Sequence, residues 1–550
     1  MPAKKVLIVG GVAGGATCAA RLRRLDEQAE IVVFERGPYV SFANCGLPYY
    51  VGDVIREESK LLLASPALFR SRFEIDVRTE HEVLSIDRAA RTIRVNDIRN
   101  GRTFDAPYDA LVLSPGAAPV RPPLPGVDLP GVFTLRNVPD SREIRRWIDA
   151  HKAARAVVVG GGFIGLEMAE NLVHRGLQVT LIEKMQQVMP PLDREMAVYA
   201  QKRLEEKGVV LKLGEGLSGI GQEAEGGLRI DTDAGGAYAA DLAILAIGVR
   251  PETGLARQAG LALGERGGIR VDDQMRTSDE HIWAVGDAVE TRNRITGQWE
   301  LIPLAGPANR QGRIAADAIA GRDTAFHGVQ GTAVCGFFGL TVALTGATEK
   351  ALQRAGIRDY QAVYLHPGHH VGYYPGAQAI HIKLLFRGSD GRVLGAQAVG
   401  GEGVERRIDV IAAMIQMQAT VFDLEEAELC YAPQFGAAKD AVNMAGMIGA
   451  NVMRGDLELA PWPQLKTTEA CIVDVREPQE FAGGTIEGAI NIPLGQLRSR
   501  LKELPRDRQI WVSCGVGQRA YYACRILSQH GFHAQNLSGG YSTYSVLPKD

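Results

Sequence analysis

Short runs of unbroken apolar residues, each passing directly into glycines, punctuate the chain. "VLIV" (6–9) and "AVVV" (156–159) lack the alternation of a half-exposed strand, so each predicts a strand buried on both faces. Both lead through a glycine turn into an amphipathic stretch, "GGVAGGATCAARLRR" and "GGGFIGLEMAENL", and further apolar runs follow in "IVVFE" and "VTLIEK". Strand, turn, helix and strand in that order predict βαβ units and an α/β chain. From about Phe326 the glycine turns disappear and strands alternate with helices. Residues 451–465, "NVMRGDLELAPWPQL", hold two prolines and few helix signals and read as a linker. Beyond it, "IWVSCGVGQRAYYACRILSQHGF" predicts a strand, a six-residue loop and a helix.

Composition narrows the class without naming a function. At 550 residues the chain is too long for one hydrophobic core and predicts three or four domains. It is 46% hydrophobic and 23% charged with a net charge of −3, an ordinary globular balance that argues for neither nucleic acid nor an anionic membrane as partner. The opening "KKVLIVGG" is a strand and turn rather than an export signal, and no apolar run is long enough to span a bilayer. Seven widely spaced cysteines suit reduced thiols in a cytoplasm. Cys18, Cys335, Cys430, Cys471 and Cys524 lack loop motifs and read as core residues. His366, His369 and His370 have no acid or cysteine nearby to complete a ligand set, so they read as surface histidines and no metal is expected.

The glycine turns carry the first chemistry. The turn from Gly10 to Gly15, followed by Glu35 at the end of the next apolar run, suits a pyrophosphate at a helix N-terminus with an acid on the ribose. Val12 stands at the middle glycine position, so this first match is imperfect. The second is complete: Gly160, Gly162 and Gly165, with Glu183 ending the following strand. Glu183 would repel the extra phosphate of NADPH and favours NADH, a preference that Lys184 weakens, leaving NADPH as the second choice.

Three further segments support a family resemblance. "RTSDEHIWAVGDAVE", with Gly286 and Asp287, resembles the second flavin fingerprint of two-dinucleotide flavoproteins, and "ILAIGVRPET", with Gly248, resembles their domain-crossing segment. Ser41-Phe42-Ala43-Asn44-Cys45 with Pro48 and Tyr49 resembles the active stretch of coenzyme A disulfide reductases and related persulfide reductases, the single-cysteine branch of the flavoprotein disulfide reductases. The resemblance implies FAD on the first turn (Gly10, Val12, Ala13, Gly15, Glu35, Arg36, Asn44, Gly248, Gly286, Asp287, Lys439) and NADH on the second, with Phe163 gating the nicotinamide. It implies Cys45 as the redox residue and Arg21, Arg24, Ser41, Asn44 and Arg72 as a coenzyme A site. Peroxidases and oxidases of this branch carry a histidine where Ala13 stands, so sulfur substrates are favoured over peroxide. "YYPGA" and "YAPQF" resemble the dimerisation domain, whose tyrosines, here Tyr374 or Tyr373 and Tyr431, reach the partner's cysteine in a symmetric homodimer with shared active sites.

The tail resembles a rhodanese domain. "ACIVDVREPQEFAGGTIEGAINIPL" fits its opening, and Cys514-Gly515-Val516-Gly517-Gln518-Arg519 fits the C-x-x-G-x-R loop. Such a loop can curl its N–H groups around a sulfur anion on Cys514, with Arg519 orienting an anionic substrate. The expected architecture is α/β: an FAD domain (1–118 and 245–322), an NAD domain (119–244), an α+β dimerisation domain (323–450) and a rhodanese domain (466–550) after the linker. The expected activity is NADH-dependent reduction of persulfides or polysulfides, coenzyme A persulfide above all, with sulfane sulfur carried on Cys514. Alternatives are a coenzyme A disulfide reductase maintaining a thiol pool and a sulfur-carrier or sensing module.

Overall fold

The structure, a computed structural model, describes residues 3–223 and 226–548. It divides into two compact units, residues 1–188 with 208–331 and residues 189–207 with 332–550.

The first unit contains two five-stranded parallel sheets. In one, Lys5–Val9 lies between Glu30–Glu35 and Ala110–Leu113, with Asp76–Thr79 and Ile282–Ala284 at the edges. In the other, Arg155–Val159 lies between Gln178–Glu183 and Leu242–Leu245, with Val210–Leu213 and Val132–Phe133 outside. The continuous apolar runs are central because a parallel strand covered on both faces has no polar side to show. Helices Ala13–Arg23 and Ala305–Ile319 cross closely; a Cβ at Gly312 would lie 2.3 Å from the Gly14 carbonyl oxygen. Strand Val249–Pro251, after Gly248, pairs antiparallel with Ala117–Pro119.

The second unit carries a five-stranded antiparallel sheet, Ala333–Phe337, Leu340–Gly346, Val393–Gly400, Ile380–Phe386 and Gln361–Leu365 in spatial order. Helices Val404–Gln416 and Ala441–Met453 pack with it. Its tail forms a four-stranded parallel sheet, Ile490–Asn491, Cys471–Asp474, Ile510–Ser513 and Ala534–Asn536. The two parts of this unit meet where the Tyr364 backbone N–H donates to Ser538 Oγ at 2.9 Å and His366 Nε2 bonds Thr543 Oγ1 at 2.9 Å.

Several expectations are corrected. Residues 189–207, counted with the NAD domain, belong to the second unit. The physical reason is a buried ion cluster: Lys383 Nζ lies 2.8 Å from Asp193 and 2.6 Å from Glu195 and also meets Glu349, while Gln397 Nε2 donates to Asp193 at 2.6 Å. Asp193, Glu195 and Glu349 converge closely enough to hold a metal, but the Lys383 ammonium sits among them. The linker is shorter than read, because helix Ala441–Met453 runs into it and Leu459, Ala460 and Trp462 join the tail through Asn536 and its core. Lys439, implied as an FAD contact, is exposed in the bend before that helix, whose N-cap is Asp440. Cys430 is an exposed loop residue, not a core one. His369 and His370 are buried, and His366 is largely enclosed, with Nδ1 2.8 Å from Nδ1 of His381. Burial and the neighbouring His381 push the His366 imidazole down to about 3, and burial and Lys202 push His381 down to about 4, so both are neutral at neutral pH.

Candidate active sites

The two glycine turns are built alike. Gly10 and Gly160 have φ of +93° and +108°, and a Cβ there would lie 2.1 Å from Ser114 O and 2.3 Å from Ala246 O. A Cβ at Gly15 would meet Gly10 O at 1.9 Å, and one at Gly165 would meet Gly160 O at 1.9 Å, so the glycines allow each helix to start against its strand. Val12 is tolerated because its φ is −98°, which any side chain adopts. The acids close each turn: Glu35 accepts the N–H groups of Gly11 (2.8 Å) and Gly37 (2.7 Å), and Glu183 those of Gly161 (2.7 Å) and Met185 (2.8 Å). Phe163 opens the second helix, Phe163–His174. Gly165→Ala should raise the KM for NADH about tenfold through displacement of that helix while bound flavin is retained, an outcome read by steady-state kinetics and the flavin spectrum.

A cleft of about 730 Å³ runs over the first turn and brings together Gly10, Val12, Ala13, Glu35, Arg36, Asn44, Gly286 and Asp287. Gly286 is fixed by its N–H to Gln311 Oε1 at 2.7 Å, and burial raises the neighbouring Asp287 carboxyl against the pull of Arg136. Arg36 and Arg136 share Glu252, at 3.1 and 2.6 Å, and all three line the cleft. A cleft of this size over a helix start, with an acid placed for ribose hydroxyls, fits FAD. The matching turn with Glu183 fits NADH.

Cys45 is carried to the cleft by the chain after Glu35. Ser41, in a left-handed conformation (φ 50°), donates its N–H to Gly11 O at 2.8 Å, tying the segment to the glycine turn. Cys45 then lies in a short turn, Asn44–Gly46, exposed as a residue and beside the cleft-lining Asn44. Partial desolvation raises its thiol, and the carboxylates of Glu167 and Asp287 raise it further, against a backbone hydrogen bond that lowers it. The surrounding acids therefore do not stabilise a thiolate. Sequence reading missed Glu167. It stands four residues beyond Phe163, on the same helix face, and that i, i+4 spacing is the signal that could have found it. Burial and Glu170 push its carboxyl up to about 7, opposed by a hydrogen bond from Tyr49.

The coenzyme A set is less uniform. Arg24 and Arg72 are exposed, as is Asn44. Arg21 instead donates through Nε and Nη2 to Asp317 at 3.1 and 2.8 Å, largely buried between two helices, so its guanidinium is committed within the fold.

In the second unit, the hydroxyls of Tyr373 and Tyr431 lie 2.7 Å apart, while the Tyr374 ring stands edge-on to His370. The tyrosine that pairs with Tyr431 is thus Tyr373, 74% exposed, rather than Tyr374, 39% exposed. The tail loop is four residues long, Cys514 to Gly517, rather than six, because Gln518 and Arg519 already belong to helix Gln518–Gln529; within it the Gly517 N–H donates to Cys514 Sγ at 3.1 Å, with Gly517 at φ +94°. Cys514 O accepts the Tyr541 N–H at 2.7 Å, and the sulfur-bearing residue is buried at the loop floor. Arg519 is bound to Glu480, a partner the sequence reading did not foresee.

These sites and folds define a flavin- and nicotinamide-dependent oxidoreductase joined to a rhodanese-like domain. The sequence profile described as pyridine nucleotide-disulphide oxidoreductase matches residues 4–312, its dimerisation domain 332–442, and the rhodanese-like domain 462–546. The chain belongs to the pyridine nucleotide-disulphide oxidoreductase family. It is 36% identical over 447 residues to the coenzyme A disulfide reductase of Staphylococcus haemolyticus, covering 80% of this chain and 98% of that one. Among solved structures, the reduced CoADR-RHD of Bacillus anthracis is 46% identical with a TM-score of 0.96, covering 99% of this chain and 98% of that one. The NAD-dependent persulfide reductase from A. fulgidus is 39% identical with a TM-score of 0.91, covering 98% and 100%. No helix among the described residues is long and apolar enough to cross a membrane.

Proposed function

We propose that the chain reduces persulfides or polysulfides with NADH, coenzyme A persulfide being the favoured substrate, through Cys45, and carries sulfane sulfur on Cys514. The observation that supports this most directly is the combination of two free cysteines in different settings. Cys45 is exposed beside the cleft over the first glycine turn, and Cys514 is buried with its sulfur accepting the Gly517 N–H. All seven cysteines are free, so Cys45 has no disulfide partner in the chain and its counterpart comes from outside.

The sulfur chemistry balances simply. The Cys45 sulfur attacks the outer sulfur of R–S–SH, the donor S–S bond breaks, and R–S⁻ leaves and takes a proton. Discharge of the sulfur as hydrosulfide restores the thiol and requires two electrons, which FAD and NADH would supply when bound at the two glycine turns. Glu167, with its carboxyl near 7, is within electrostatic range of Cys45 and can hold a proton for the leaving thiolate. The exposed Tyr373–Tyr431 pair offers a phenolic surface suited to a second copy, supporting a homodimer whose tyrosines serve the partner's Cys45. Arg24, Arg72, Ser41 and Asn44 remain the proposed coenzyme A contacts, and seven free thiols favour a reducing cytoplasm.

The test is anaerobic NADH consumption with hydrosulfide release, comparing coenzyme A persulfide, polysulfide and coenzyme A disulfide. Hydrosulfide should form stoichiometrically with NADH from the first two, and disulfide should turn over slowly. The likeness to coenzyme A disulfide reductases over 80% of the chain favours a second reading, maintenance of a thiol pool. Fast disulfide turnover without hydrosulfide would establish that reading instead.

A further inference from the structure

The arginine of the Cys514 loop is closed off by an acid. Arg519 donates through Nη1 and Nη2 to Glu480 Oε2 and Oε1, each at 2.7 Å. Glu480 is itself held in place: its Oε2 accepts the Glu477 N–H at 3.1 Å, completing the capping box of helix Pro478–Ala482. Hydrogen bonding to Arg519 holds the Glu480 carboxyl down at about 2, so it is ionised at any working pH. The pair stands at the rim of the loop, since a Cβ at Gly515 would lie 3.4 Å from Arg519 Nη2 and 3.9 Å from Glu480 Oε1.

The second arginine of this region is also committed. Arg476 donates to both oxygens of Asp474, at 2.9–3.0 Å from Nε and 2.7 Å from Nη2, and from Nη2 to Gly484 O at 2.6 Å. Both guanidiniums thus face a carboxylate in bidentate geometry, and their charges are matched. A small dianion approaching Cys514 meets the Glu480 carboxylate at the same rim as Arg519. An organic persulfide presents only the charge of its terminal sulfur to Cys514, its other charges lying several bonds away behind a methylene, and exposed Val516 and Tyr522 border the same loop and helix.

We propose that Glu480 sets the donor selectivity of the Cys514 loop: by holding Arg519 in a closed pair, it disfavours small sulfur oxyanions and leaves the loop to organic persulfides. This rests on the reading of Cys514 as a sulfur carrier. In the transfer, the Cys514 thiolate attacks the outer sulfur of R–S–SH, a new S–S bond forms on Cys514, the donor S–S bond breaks, and R–S⁻ leaves and is protonated by solvent. Oxidation levels are exchanged between the two sulfurs without an external reductant.

The experiment uses the full-length protein, with glutathione persulfide or thiosulfate as donor, cyanide as acceptor, thiocyanate as product, and the mass of one added sulfur on Cys514 as an independent readout. The intact protein should use the persulfide at least about tenfold better. Glu480→Gln keeps the side-chain shape and an acceptor for Glu477 N–H but frees Arg519; it should raise kcat/KM for thiosulfate about fivefold and move the persulfide value less than about twofold. Adding Arg519→Gln to that variant should remove the gain, which a purely structural role for Glu480 would not predict. An unchanged donor ratio in Glu480→Gln overturns the proposal. Should that variant unfold, Glu480→Asp, which keeps the charge but shortens its reach, must shift the ratio in the same direction or the proposal fails. If the intact protein takes sulfur from neither donor and Cys514 gains no mass, the carrier reading itself falls and the proposal with it.

Discussion

Cys45→Ser is expected to lower NADH-dependent hydrosulfide production by about three orders of magnitude or more, because a hydroxyl neither attacks a sulfane sulfur at neutral pH nor stores it. Bound flavin should be unaffected, since the glycine turns, Glu35 and Asp287 that form its cleft do not depend on the Cys45 sulfur. Thiocyanate formation through Cys514 should persist, because that loop is built from its own hydrogen bonds in the other unit. The measurement pairs anaerobic turnover with the flavin spectrum and the cyanide assay. Retention of more than about a tenth of the turnover would sink the assignment of Cys45 as the redox residue.

Lys383→Met should be the most damaging substitution for stability outside the glycine turns. Lys383 is fully buried among Asp193, Glu195 and Glu349, and methionine fills its volume without its charge. Removing the cation leaves three carboxylates facing one another, a loss of about 3–5 kcal/mol. Burial pushes the Asp193 carboxyl up, but Lys383, Gln397 and the Glu349 N–H outweigh it and hold the group below its ordinary value. A depressed carboxyl contributes stability above its unfolded pKa and loses it as pH falls through the folded value. The intact protein should therefore lose this contribution only in acid, while the variant should have lost it already at neutral pH. Urea unfolding followed across acid to neutral pH checks both statements. A variant within about 1 kcal/mol of the parent would show that the cluster is structurally dispensable.

Local signals carried the parts of the protein that depend on backbone geometry. Gly10, Gly15, Gly160 and Gly165 were legible because only glycine fits a left-handed φ or a carbonyl within 2.3 Å, and Glu35 and Glu183 because each ends the next parallel strand. The Cys514 loop was legible for the same reason, its curl being written into four consecutive loop residues and one positive φ. What the sequence concealed lies in pairs distant along the chain. Lys383 captures 189–207 across roughly 190 positions, Arg21 spends its charge on Asp317, Glu480 closes Arg519, and Tyr373 rather than Tyr374 meets Tyr431.

The sequence by itself determined the glycine turns, the loops that carry Cys45 and Cys514 and the order of the domains, because each rests on residues within a few positions of one another. Only the tertiary structure decided which charges are free to meet a substrate. A guanidinium's availability depends on whether a carboxylate from elsewhere in the fold has already met it, and no spacing along the chain records that.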